Sequence, residues 1–142
     1  MSASITFQQA VDNETKKIKH EMKRRSLLAS NALRSEALET LSQPGSGRRY
    51  RSKATRAYHT ASAAGQPPAP DTGSFRDNWR ATSVQMGNRY VSRIESSETV
   101  NGYLLGQLLE NGTSKMAPRP YAEKIKRRAT PKIIQIYSAP FV

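Results

Sequence analysis

Two histidines, His20 and His59, are the only imidazoles in this 142-residue chain, and there is no cysteine. Neither histidine belongs to an HExxH pair, and His59 stands in a stretch without a carboxylate, so no metal site is expected. Thiolate zinc sites, disulfides and a cysteine nucleophile are excluded by composition. Asp71 and Asp77 flank a turn and read as capping groups before acid-base catalysts. The 11 acidic residues are scattered, whereas divalent-metal nuclease chemistry needs them clustered. No GxxxxGK, GxGxxG or GxSxG motif occurs. The expectation is a protein that is not an enzyme and carries no cofactor.

The remaining chemistry is cationic. Lys and Arg number 23, and the formal charge is +12. The densest run is Arg48, Arg49, Arg51, Lys53 and Arg56, with Tyr50 and Tyr58 interleaved and no acid between them. Such a run binds polyanions in a salt-dependent way. Charge alone leaves DNA and acidic protein subunits both open as its partner.

The elements that must carry these residues can be read from spacing. Thr6 and Gln9 have the separation of a capping box, so a helix is expected to begin there. Phe7, Val11, Ile18, Met22, Ala29, Leu33, Ala37 and Leu41 recur at intervals that place them on one helical stripe. No Pro or Gly interrupts residues 5–43, and Pro44-Gly45 supplies the stop, which predicts a helix of about 50 Å. Lys16, Lys17, Lys19, Lys23, Arg24 and Arg25, with Glu14 and Glu21, read as its solvated face.

Residues 42–73 turn to Gly, Pro, Ser, Ala and Arg and read as an extended arm or loop, with a short strand at 57–62 and polyproline geometry at 65–70. Phe75 and Trp79, four apart, are expected on one side of a short helical turn. Two strands, 79–86 and 89–96, flank Gly87-Asn88 as a hairpin, with Tyr90, Ser92, Ile94 and Ser96 on one face. Residues 103–110 predict a helix that Asn111-Gly112 ends through a left-handed cap. Pro120 is expected in the first turn of the next helix and Pro131 to kink or restart it. Periodicity leaves residues 133–137 open between helix and strand. Together these elements predict one α+β domain over residues 1–142, a long N-terminal helix on a small antiparallel sheet followed by a C-terminal helix.

No stretch reaches the roughly 20 apolar residues that cross a bilayer. The opening Met1-Ser2-Ala3-Ser4-Ile5-Thr6 has neither a basic nor an apolar leader region, so synthesis and assembly in a cytoplasm are expected.

Two segments resemble a known family. Gly65-Gln66-Pro67-Pro68-Ala69-Pro70-Asp71-Thr72-Gly73-Ser74-Phe75-Arg76 resembles the proline-rich segment ending in Thr-Gly-x-Leu-Arg of tailed-bacteriophage neck or tail-completion proteins, with Phe75 where that family has Leu. Leu109-Glu110-Asn111-Gly112-Thr113-Ser114-Lys115-Met116-Ala117-Pro118-Arg119-Pro120-Tyr121 is similar to its Glu-x-Gly-Thr-x-x-Met-x-x-Arg-Pro-Phe signature.

The resemblance implies a structural virion protein at the head-tail junction, made in a bacterial host cytoplasm. It implies a homo-oligomeric ring, most plausibly of six copies, between head-closure or connector proteins and the tail terminator or tail tube. Its assembly residues would be Pro67, Pro68, Thr72, Gly73, Phe75, Arg76, Glu110, Gly112, Thr113, Met116, Arg119 and Pro120. Arg48, Arg49, Arg51, Lys53 and Arg56 would then face genomic DNA in the channel or an acidic subunit. A basic DNA-binding protein and a transient tail-assembly factor are the alternative readings.

Overall fold

The computed structural model describes residues 4–141; residues 1–3 of the opening segment, and residue 142, lie outside the described range. Helix α1 (Phe7–Thr40) is followed by β1 (Arg49–Arg51), β2 (Tyr58–Thr60), a one-turn α2 (Ser74–Asp77), β3 (Arg80–Met86) and β4 (Arg89–Glu95). Then come β5 (Thr99–Val100), β6 (Tyr103–Leu104), α3 (Leu105–Asn111) and α4 (Ala122–Ser138). The fold is α+β, as expected. Its strands form three separate antiparallel pairs, β1-β2, β3-β4 and β5-β6, where a single small sheet was expected.

Helix α1 starts on the expected capping box: Gln9 N donates to Thr6 Oγ1 (3.1 Å) and Thr6 N to Gln9 Oε1 (2.9 Å). Its 34 residues span about 51 Å at roughly 1.5 Å each. The β3-β4 hairpin has seven residues per strand, about 23 Å at roughly 3.3 Å each, and cannot cover that length. The hairpin tip reaches Ile18 and Met22, and the first turns of α1 project past it. Phe7 (85% exposed) and Val11 of the expected stripe are therefore in solvent, Ile18 at the hairpin tip is 39% exposed, and Ala29, Ala37 and Leu41 are buried.

The core gathers Ala37, Leu41, Trp79, Tyr121 and Ile125, with Phe75, Ile94 and Leu109 packed against it. A second contact, between α1 and the hairpin, includes a cluster of hydroxyls. Ser83 Oγ donates to Ser26 Oγ (2.8 Å), Ser26 and Ser92 share a bond of 3.0 Å, and Ser92 Oγ donates to Ser26 O (2.6 Å). Tyr90, Ser92 and Ile94 face inward as the alternation predicts.

Helix α4 lies along α1 and is held by charge. Arg128 pairs with Glu36 (3.0 Å) and Glu39, and Lys132 also pairs with Glu36, whose carboxyl is held below its ordinary range chiefly by Lys132. Pro131 lies inside α4 without ending it, and residues 133–137 continue as helix. Pro120 precedes the helix start instead of occupying its first turn. Arg25, expected on the solvated face, is only 3% exposed. Its Nη1 donates to Ala139 O (2.6 Å), its Nη2 to Pro140 O (2.7 Å) and its Nε to Glu21 (2.8 Å), and its guanidinium lies 4.0 Å from the centre of the Phe141 ring. The charge is buried because an acid, three carbonyls, Tyr137 O included, and a ring replace its water. Among the described residues no helix is long and apolar enough to cross a membrane.

Candidate functional site

The two segments that carry the family resemblance meet in space. Phe75 from the first and Tyr121 from the end of the second have ring centres 5.7 Å apart, and Trp79 completes an edge-to-face trio at 5.6 and 5.8 Å. Gly65 N donates to Pro118 O (3.0 Å), and Pro67 lies beside Pro120 and Tyr121. The stretch 42–73 is thus folded back on the body and contains the β1-β2 hairpin, with the expected strand at 57–62 realised as β2.

In the first segment, Gly73 precedes α2 with φ of 86°, a conformation that favours glycine. Thr72 is exposed, and its Oγ1 accepts from Ser74 N (3.3 Å). Arg76 Nε pairs with Asp77 Oδ1 (2.9 Å), which holds the Asp77 carboxyl below its usual range. Leu41, Tyr50, Pro68, Pro70, Phe75 and Leu109 line a groove of about 430 Å³.

In the second segment, Gly112 ends α3 at φ 76° and ψ 177°, a positive-φ cap with an extended ψ instead of the expected left-handed one. A Cβ there would sit 2.8 Å from Pro118 N and 2.9 Å from Met116 O. Thr113 and Met116 bridge across the loop, Thr113 N donating to Met116 O (2.9 Å). Arg119 Nη1 donates to Ala117 O (3.1 Å), so the guanidinium serves the loop itself. Glu110 Oε2 accepts from Tyr121 N (2.8 Å) and Ala122 N (3.2 Å) and thereby caps α4. Tyr121 Oη donates to Gly106 O (2.8 Å), and burial together with the Glu110 charge pushes its hydroxyl up to about 12.

The expected assembly residues therefore divide. Phe75, Glu110, Gly112 and the backbone bridge from Thr113 to Met116 shape the segments from within, while Thr72, Thr113 and Pro120 are exposed. The cap provided by Glu110, the Tyr121 hydroxyl bond and the Ser26-Ser83-Ser92 contact were missed in the sequence. Only the last had a local signal: Ser26 and Ser30 fall at helical spacing among Ala29, Leu33 and Ala37.

The basic run forms the other candidate surface. Pairing of Arg49 with Thr60, Tyr50 with His59 and Arg51 with Tyr58 alternates the side chains across the ribbon. Tyr50 and His59, in edge contact at 5.2 Å, share one face, and Tyr50 lines the groove beside Leu41. Arg49, Arg51 and Tyr58 share the other. Ser52, 1% exposed, shapes the loop between the strands: its Oγ accepts from Ala54 N and Thr55 N and donates to Asp71 Oδ2 (2.9 Å).

Asp71 and Asp77 are thus engaged with Ser52 and Arg76, and among the described residues no three His, Asp or Glu side chains come together as a metal site. Searches against family models, curated proteins and solved structures return no match to this chain.

Proposed function

We propose that the chain is a structural virion protein of a tailed bacteriophage, a neck or tail-completion subunit joining the connector to the tail tube, working as a homo-oligomeric ring. The two motifs bring the family reading; one structural observation supports assembly. The isolated chain exposes 10046 Å², whereas a compact monomer of 15.8 kDa exposes about 7,300 Å². The surplus is of the order that obligate subunits bury, roughly 2,000 to 5,000 Å² in total.

The exposed surface includes the projecting end of α1, where Phe7, 85% exposed, and Val11 fall on one side. The occupant proposed for that stripe is a second copy. A patch on one copy meeting a different patch on the next is the heterologous contact that closes a ring. Quantitative mass spectrometry of purified particles, scaled to the portal protein, tests the reading. Six or twelve copies per particle are expected; absence from finished particles would replace it with a transient assembly factor.

A further inference from the structure

We infer that the outward face of the β1-β2 hairpin is a grip for the phosphate backbone of a nucleic-acid duplex, indifferent to base sequence. The inference concerns the isolated chain and stands or falls independently of the neck reading.

Arg48, Arg49, Arg51, Lys53 and Arg56 are all exposed, and residues 48–60 contain no acid. Strand pairing sorts them: Tyr50 and His59 occupy the inward face, so Arg49 and Arg51 stand together on the outward one, about 6.8 Å apart along the strand. The loop adds Lys53 and Arg56. Arg56 sits at φ 60°, held there by its N-H bond to Ser52 O (2.9 Å), and its own carbonyl accepts from Arg51 Nε (2.9 Å). That bond uses the inner nitrogen of Arg51, leaving the outer fork to face a ligand. The one carboxylate bonded to the hairpin, Asp71, reaches the buried Ser52 hydroxyl.

The same face argues against an acidic protein as the occupant. Protein interfaces are built round an apolar core with a polar rim, and this face has no aliphatic side chain larger than alanine to supply one. Its single large ring, Tyr58, is 70% exposed but has a guanidinium, Arg49, stacked 4.6 Å from its centre. With a cation already occupying that ring face, the surface offers forks for phosphate oxygens rather than a platform for unstacked bases. Polar, strongly positive contact without an apolar centre is the character of DNA interfaces.

The test is fluorescence anisotropy of the full chain with a labelled duplex of arbitrary sequence, between 50 and 200 mM salt. Four engaged cations, Arg49, Arg51, Lys53 and Arg56, predict a slope of log affinity against log salt near −3.6. The variant Arg49→Gln/Lys53→Gln spares Arg51 and Arg56, which brace the loop, and should reduce the slope by about 1.8 while binding weakens at least tenfold at 100 mM. Lys16→Gln/Lys17→Gln removes the same charge from α1 and should leave most of the binding intact. Equal losses in the two variants, or no binding by the wild type, would overturn the inference. So would displacement by poly-glutamate as effective as by unlabelled duplex at equal charge, which would assign the face to an acidic protein.

Discussion

Glu110 and Arg25 perform matching tasks at opposite ends of α4. The carboxylate takes up free amides at the N-terminus, the guanidinium takes up carbonyls after the C-terminus, and both charges have the sign that the helix dipole favours. Glu110→Ala should therefore cost about 1 to 2 kcal/mol in urea unfolding, and Glu110→Gln less, because the amide oxygen still accepts. Gly112→Ala should cost about 1 to 3 kcal/mol, since a positive φ is combined with a Cβ driven against the Pro118 backbone. Tyr121 gives a pH signature. Its folded hydroxyl titrates near 12, above the ordinary value of 10.0, so its contribution is complete below pH 10.0 and is lost as pH climbs through about 12. Tyrosinate absorbance should rise late, together with loss of helical circular dichroism. In Tyr121→Phe the late tyrosinate step should vanish; if it persists unchanged, another tyrosine is its source.

At the scale of elements, the contact between α1 and the β3-β4 hairpin carries a hydroxyl cluster of Ser26, Ser83 and Ser92 beside the place where Ile18 and Met22 meet the hairpin tip. Ser26→Ala strands the Ser83 hydroxyl while Ser92 keeps its bond to the Ser26 carbonyl, and should cost about 1 to 3 kcal/mol, whereas replacing all three serines with alanine should recover most of that loss. Equal damage in the single and triple variants would show that the hydroxyls act separately. The elements legible in the sequence were those with local causes: the Thr6-Gln9 cap, the Gly87-Asn88 hairpin, the Phe75-Trp79 turn and the stop at Gly112. Arg25 was misread because its carbonyl partners lie more than a hundred residues away. The apolar stripe from Phe7 to Leu41 is continuous in sequence, but only the length of the hairpin decides where its burial begins. Pro131 does not restart the helix for a related reason: the packing of Ile125 and Ala129 and the bonds of Arg128 and Lys132 to α1 hold it through a residue that weakens it locally. In the candidate site, the composition of the motif segments was readable, but not that Phe75 and Tyr121 would meet, since strands β3 to β6 and helix α3 intervene.

For the whole molecule, the excess surface makes association the central expectation. Sedimentation should show oligomers whose fraction rises with concentration, and Phe7→Ser/Val11→Ser should shift them to monomer with an unchanged melting curve at low concentration. That separation is expected because the projecting turns of α1 carry none of the core. A fall in melting temperature of the dilute monomer would mean that these residues serve the body itself. The aromatic trio has an optical consequence. The chain contains one tryptophan, and it stands between rings contributed by the two segments that bear the family resemblance. Its emission is an intrinsic dye at their junction. A blue-shifted band reports that the segments are docked, a red shift reports their parting, and energy transfer from Tyr121 follows the distance between them, without any label attached to the protein.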